Sequence, residues 1–136
     1  MAKLYPPSIS GTLPSFYEAS DGTVVITVPF SLNKVVSVNS VQCCALKLKS
    51  TDTDTVLGTF LSNPSTWLEQ DSTTLSIDFI VPRSVVSKLK TGRFYKAQMA
   101  YKSIDSEYYS DPTNYIQDTL NGIGYYSTVG IIKYTN

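Results

Sequence analysis

The chain has 136 residues, enough for one domain with a hydrophobic core that needs neither a metal nor a disulfide framework. Its 11 basic and 11 acidic residues balance, so its charge creates no field that attracts nucleic acid or an acidic membrane. The sequence contains no run of 18 apolar residues, and we predict no membrane-spanning helix. Residues 1–11 lack a basic segment followed by an apolar run, so no secretory signal is predicted there.

The histidine and cysteine content limits the catalytic groups, metal ligands and disulfides that the chain can have. The sequence has no histidine, which removes the commonest general base and the commonest metal ligand. Its only two cysteines, Cys43 and Cys44, are adjacent, and on a strand adjacent side chains point to opposite faces. A disulfide between neighbours is strained, so we predict two thiols, one in the core and one facing outward.

Alternation of apolar and polar residues predicts strands along most of the chain. The predicted strands lie in the opening stretch and at 22–32, 41–50, 56–62, 73–82, 95–101 and 125–135. Their predicted inward-facing residues are Val24, Ile26, Val28 and Phe30; Cys44, Leu46 and Leu48; Leu75, Ile77, Phe79 and Val81; Tyr95, Ala97, Met99 and Tyr101; and Val129 and Ile131. The residues between them are predicted to face solvent, and the stretch at 56–62 is predicted to be an edge strand.

Seven such segments, separated by turn residues such as those at 21–22, 91–92 and 121–122, predict the fold class. We expect an all-β fold in which two antiparallel sheets pack as a sandwich of about seven strands. The whole chain, residues 1–136, is predicted to form a single domain.

Helix signals are few. The strongest lies at 110–122, where Ser110 or Asp111 can cap a helix, Pro112 suits its first turn and Gly122 ends it. This short helix is predicted within a long insertion, at about 103–122, between the last two strands. A single further turn is predicted at 83–89.

The stretch LKTGRFYKAQMAY, residues 89–101, carries a specific spacing. Leu89 precedes a turn at Gly92, and Tyr95 follows six positions after the leucine. A leucine before the corner of a sandwich can fill the end of the core, and glycine can adopt a positive φ. The tyrosine can bury its ring while its hydroxyl bonds to corner backbone. The stretch closely resembles the corner and sixth strand of the fibronectin type III module.

Other segments share this resemblance, which spans about residues 8–135. Residues 22–30 resemble the second strand of the module, with Phe30 in place of its usual tryptophan, and residues 124–135 resemble its last strand. The insertion is much longer than the usual loop of the family, and it contains no Arg-Gly-Asp tripeptide. The integrin-binding role of the family therefore does not transfer.

The composition of the strands has a second resemblance. The strands are rich in Thr, Ser, Val and Tyr, and residues 28–38 and 124–135 also resemble β-sandwich modules in structural proteins of bacterial viruses. This resemblance implies a protein of the virion that is made in the host cytoplasm.

Candidate catalytic and metal sites are weak. Paired carboxylates occur at Asp52 and Asp54, Glu69 and Asp71, and Asp105 and Glu107. They are predicted to be solvated turn residues, because glycoside hydrolysis usually joins carboxylates from distant segments and calcium needs six or more oxygens. No nucleophile motif or phosphate-binding glycine pattern is present. We therefore predict no enzymatic activity, no cofactor and no metal.

Aromatic residues supply the strongest functional signal. Tyrosine offers a large contact area at low entropic cost, which suits interfaces. The predicted interaction surface comprises Tyr108, Tyr109, Tyr115, Tyr125 and Tyr126, with Trp67 as a second and weaker patch. The alternatives remain open: the tyrosines cap the end of the sandwich, and Trp67 packs under the edge strand.

The leading hypothesis is a non-enzymatic structural or binding module of a bacteriophage virion, in the tail, a fibre or a capsid decoration. It would mediate protein–protein assembly or attachment to a host surface. The expected partners are other virion proteins in a homo- or hetero-oligomer, with a host-surface glycan as a further candidate, and neither nucleic acid nor membrane. The alternative is a bacterial surface or secreted module that binds carbohydrate or spaces other domains.

Overall fold

The computed structural model describes residues 7–32, 41–62, 68–69, 74–103 and 127–135. Within these ranges the chain forms eight strands and one short helix. In chain order they are β1 Ser8–Ile9, β2 Val25–Ser31, β3 Val41–Ser50, β4 Val56–Leu61, β5 Leu68–Glu69, β6 Thr74–Ile80, α1 Arg83–Val86, β7 Phe94–Ser103 and β8 Gly130–Lys133.

The strands form two antiparallel sheets, so the fold is mostly β. The first sheet has the order β1-β2-β6-β5, and the second has the order β4-β3-β7-β8. The longest pairings are β2 with β6 and β3 with β7. The strand predicted at the edge, residues 56–62, lies at an edge of the second sheet, which confirms that prediction.

The hydrophobic core takes side chains from both sheets. The inward faces predicted for β2, β3, β6 and β7 are confirmed, because every residue predicted to face inward on these strands is buried. A single cluster holds them together with Leu13, Phe16, Phe60, Val85, Ile132 and Tyr134. Removal of this apolar surface from water is the main stabilising contribution to such a fold.

The prediction for β8 was wrong in phase. Val129 is 38% exposed and Ile131 is only partly buried, whereas Ile132 is 1% exposed and belongs to the core. The reason is register: Tyr95 faces the core and lies opposite Ile132, and directly opposite residues of an antiparallel pair share a face. Gly130 and Ile132 of the last strand therefore face the core, although the strand is apolar on both faces.

The face predicted to meet solvent on β3 and β7 is partly buried. Ala45 and Ala100 are fully buried and lie directly opposite each other, and Lys47 is only 6% exposed. Ser76 on β6, also predicted to face outward, is 1% exposed. Alternation located the core face of these strands correctly. It overestimated the solvent exposure of residues on the other face, because neighbouring side chains shield short side chains in the middle of a sheet.

The segment after β1 passes from the first sheet to the second. It forms isolated parallel bridges between Thr12 and Ile131 and between Phe16 and Tyr134. The Leu13 N–H donates to the Ile131 carbonyl at 2.8 Å, and the Phe16 N–H donates to the Lys133 carbonyl at 3.0 Å. Residues 11–16 therefore cover the edge of the second sheet at β8.

Candidate interaction surfaces

The corner before β7 has the geometry that its spacing predicts. Tyr95 is 4% exposed, and its hydroxyl accepts a hydrogen bond from the Lys90 N–H at 2.7 Å. Gly92 has a φ of 87°, in the left-handed region that favours glycine. Leu89 is partly buried against the core cluster. The three residues lie where the chain enters β7, and their structural role at this corner stays a prediction.

The short helix before this corner confirms the turn predicted at 83–89. It begins after Pro82, and Val85 enters the core cluster. Val85 packs over Gly58 of β4, where an added Cβ would overlap a Val85 methyl carbon. Glycine at this position lets the helix approach β4 closely.

The predicted aromatic interaction surface lies outside the described residues. This holds for each of its members: Trp67, Tyr108, Tyr109, Tyr115, Tyr125 and Tyr126. The insertion at 104–122, with its predicted helix, lies outside them as well. The interaction role of these residues stays a prediction.

Of the predicted carboxylate pairs, Asp52 and Asp54 lie in the described turn between β3 and β4. Both are exposed, and Asp54 contacts Lys96 at 3.3 Å while Asp52 contacts Arg93 at 3.3 Å. The hydrogen bond from Lys96, with the nearby charge of Lys49, lowers the pKa of Asp54 below its usual value. These pairs join the turn to β7. Within the described ranges no group of three metal-ligating side chains occurs.

Lys47 is a buried charged residue in the described part of the second sheet. Burial is the main cause that lowers the pKa of its ammonium group from 10.5 to about 8, and the nearby charge of Lys49 adds to it. Lys47 lies between Thr59 of β4 and Gln98 of β7. Cys44, on the opposite face, is buried in the core as a thiol, as predicted for one of the two cysteines.

A concave surface on the first sheet was not predicted from the sequence. A cavity of about 330 Å³ lies between residues 14–19 and the outer face of β2. It is lined by Pro14, Ser15, Phe16, Tyr17, Ala19, Thr23, Val25 and Thr27. Tyr17 is 58% exposed, and Ile80, opposite Val25 on the same face, is 67% exposed. We call this cavity, with Ile80, the Tyr17 surface.

Polar groups surround the Tyr17 surface. Thr27 donates its hydroxyl hydrogen bond to Asp78 at 2.6 Å, on the outer face between β2 and β6. Arg83 pairs with Glu18 at 2.8 Å, where the hairpin at residues 18–24 leads into β2. An apolar centre with a polar margin is the usual anatomy of a protein–protein interface.

The edge at β4 is the second exposed apolar feature. Val56 is 41% exposed and Leu61 is 54% exposed, although both belong to a hydrogen-bonded strand. The six residues of β4 include neither a charged side chain nor proline. The Lys88 ammonium group donates to the Leu57 carbonyl at 3.1 Å.

Both surfaces have a signal in the sequence that strand alternation obscures. Ile80 follows Ser76 and Asp78 at the outward positions of β6, so it is an apolar residue in a polar series. Leu61 likewise follows Thr59 on the outer side of β4. An apolar residue at a position predicted to face solvent is the pattern that would have identified them.

No protein-family model matches the chain, and no curated protein matches its sequence. Among the described residues, no helix has both the length and the apolar content that crossing a membrane requires.

Proposed function

We propose that this chain is a non-enzymatic structural or binding module of a bacteriophage particle, in the tail, a fibre or a capsid decoration. In this proposal it works through contact with other virion proteins. The observation that carries the binding role is the Tyr17 surface, where two strongly exposed apolar side chains flank a cavity. The phage setting rests on the resemblance of the strand sequences to virion β-sandwich modules.

The chemistry of the Tyr17 surface favours a protein partner. Its lining is apolar with hydroxyl groups, and the charged residues Glu18, Asp78 and Arg83 lie around it. A tyrosine with an exposed ring provides a rigid contact area, and Ile80 provides an aliphatic contact beside it. Exposure of this apolar patch to water is unfavourable. A partner that buries both side chains removes the patch from water and so gains binding free energy.

We propose further that the two sheets form a fibronectin type III-like sandwich. The order β1-β2-β6-β5 corresponds to strands A, B, E and D of immunoglobulin-like sandwiches, and β3-β7-β8 corresponds to C, F and G. In this assignment β4 takes the place of C′ beside C. The Tyr95 hydrogen bond to corner backbone near the start of β7, which takes the place of strand F, also supports the assignment.

The proposal that the protein belongs to a bacteriophage particle is tested in the native source. Particles purified on a density gradient are analysed by quantitative mass spectrometry and by immunogold electron microscopy. We expect the chain to co-purify with the particles at a fixed copy number. Detection in bacterial cell walls alone would contradict the virion proposal and favour the surface module.

The binding surface is tested by particle incorporation of variants. Ile80→Lys places a charge on the Tyr17 surface beside the cavity, and we expect incorporation to fall about tenfold or more. Val129→Lys is the matched control, because Val129 is also exposed but lies beside β8. Equal incorporation of both variants would exclude the Tyr17 surface as the contact.

A further inference from the structure

The strand edges of the two sheets differ in how they are protected. In the described part of the chain, β1 and β5 are two-residue strands, and the edge at β8 is covered by residues 11–16. β4 is a six-residue edge strand without charge or proline, and its register against β3 shifts once, between Leu48 and Lys49. Natural sheets protect their edges by shortness, charge, proline, bulges or cover, since an open edge pairs with other strands. From Gly58 to Leu61 the pairing with β3 is regular, and no described strand covers this part of the edge.

The direction of the backbone groups of β4 follows from its pairing. The Ser62 N–H donates to the Cys44 carbonyl of β3 at 2.9 Å. In an antiparallel ladder successive residues direct their backbone groups to opposite sides, so Phe60 and Gly58 face β3 in the same way. Thr59 and Leu61 therefore direct their N–H and C=O groups away from the sheet. Leu57 lies at the register shift between Leu48 and Lys49, and the bond from Lys88 places its carbonyl on the outward side as well.

We propose that β4 pairs with β4 of a second copy of this chain, antiparallel and about a twofold axis at Thr59. Three outward-facing residues, spaced by two, make this edge complementary to itself. Thr59 lies opposite Thr59 of the second copy, and Leu57 lies opposite Leu61 in both directions. The two second sheets then form one continuous sheet of eight strands.

The side chains of β4 suit this pairing. The strand has no charge, so two copies meet without like charges facing each other on the paired strands. Val56 and Leu61 lose solvent exposure when a neighbouring strand is added. A six-residue strand edge buries less area than a stable interface, which needs more than about 1,000 Å². The dimer is accordingly weak and depends on concentration, and copies held close together in an assembly favour it.

The first test is sedimentation equilibrium of the full chain from about 10 µM to about 1 mM. We expect the wild type and Thr59→Val to shift from monomer to dimer across this range. Thr59→Pro removes an N–H that β3 does not use, and proline is tolerated on edge strands. We expect it to remain monomeric and folded. A wild type that stays monomeric at every concentration, or forms species larger than a dimer, would overturn the proposal.

The second test addresses register and does not depend on proline. In the proposed dimer, residue 61 of one copy lies opposite Leu57 of the other, whose carbonyl binds Lys88. Leu61→Lys therefore brings a second ammonium group to that lysine, while Leu61→Glu brings a carboxylate. We expect dimerisation of Leu61→Lys to be at least about tenfold weaker than that of Leu61→Glu. Adding Lys88→Glu to Leu61→Lys should restore it. Equal dimerisation of both Leu61 variants would overturn the register.

This dimer and the virion role can fail separately. Ile80→Lys lies on the other sheet and is expected to leave dimerisation through β4 unchanged. If it weakened the dimer as much as Thr59→Pro does, the contact between copies would lie at the Tyr17 surface and not at β4.

Discussion

The two edge strands of the second sheet, β8 and β4, differ in what their outward-facing backbone groups bind. At β8, residues 11–16 run parallel to the strand, and the Ile131 N–H donates to the Gly11 carbonyl at 2.8 Å. At β4, half of the backbone groups point away from the sheet, and Lys88 binds the Leu57 carbonyl. The first edge satisfies its polar groups within the chain, whereas no strand in the described part of the chain pairs with the second edge.

Closure of the β8 edge depends on local packing. The Phe16 and Tyr134 ring centroids lie 5.0 Å apart, and the Gly92 N–H donates to the Tyr134 carbonyl at 2.7 Å. Residues 11–16, which we call the cover strand, and the turn at Gly92 therefore meet at the same end of β8.

The largest effect is expected from Phe16→Ala. Phe16 is 1% exposed, and its loss leaves a cavity beneath the cover strand. We expect the free energy of unfolding to fall by about 3–5 kcal/mol. The neighbouring Tyr17→Ala is the control, because Tyr17 is largely exposed and should cost less than about 1 kcal/mol. Urea denaturation measures both, and equal losses would show that residue 16 does not anchor the edge.

The next effect is expected from Gly130→Val. An added Cβ at residue 130 would lie 2.7 Å from the Ser10 carbonyl oxygen and 3.1 Å from the Leu13 side chain. The cover strand would have to move, and we expect a loss of about 1–3 kcal/mol in the free energy of unfolding. Gly11→Ala is the matched control, since no atom lies within 4 Å of its added Cβ. Thermal and urea unfolding compare the two, and a neutral Gly130→Val would contradict the close approach.

A smaller effect is expected from Tyr95→Phe. The variant keeps the buried ring but removes the acceptor of the Lys90 N–H. A hydrogen-bonding group without its partner costs about 1–3 kcal/mol, and partial access of water to the corner favours the lower end. Tyr17→Phe removes an exposed hydroxyl and should be neutral. If the two variants had equal stability, the hydrogen bond at the corner would contribute nothing measurable.

The smallest effect is a pH dependence of stability that comes from Lys47, which lies opposite Thr59 of β4. The pKa of Lys47 is lowered by burial from 10.5 to about 8 in the folded chain. Between about pH 8 and pH 10.5 the unfolded chain binds more protons than the folded chain, so stability rises as pH increases through this window. Below the window both states are protonated and the burial penalty is present in full. We expect a rise on the order of 1 kcal/mol, after reduction by solvent screening.

Lys47→Met isolates this titration. Urea denaturation at several pH values between 7.5 and 10.5 should show the rise in the wild type and not in the variant. Other titrating groups are common to both proteins, so the difference between the two curves reports Lys47. Parallel curves would contradict a lowered pKa at this residue.

The sequence predicted the mostly β fold, the inward faces of four strands and the geometry of the corner. These features are local, because alternation follows from the pleat and the Leu89-to-Tyr95 spacing follows from a single turn. The phase of β8 was missed because Val129, Ile131 and Ile132 make the strand apolar on both faces. Its orientation is set by pairing with Tyr95, a residue more than thirty positions away.

The surfaces were harder to predict. The Tyr17 surface joins residues 14–19 to β2 and Ile80, and only the pairing of β2 with β6 brings Ile80 beside Val25. The cover strand at 11–16 pairs in parallel with residues over a hundred positions later, which no short-range pattern reveals. The interaction role of the aromatic cluster at 108–126 was predicted from its tyrosine content and from the length of the insertion, and the cluster lies outside the described residues.

The difference between the two edges is tested most directly by native-state hydrogen exchange at several protein concentrations. We expect the Ile131 and Phe60 amides to be protected at every concentration, because each faces a partner strand within the chain. The Thr59 amide should exchange rapidly in dilute solution and become protected as concentration rises. A Thr59 amide that is already as protected as Ile131 in the most dilute sample would contradict an open edge at β4.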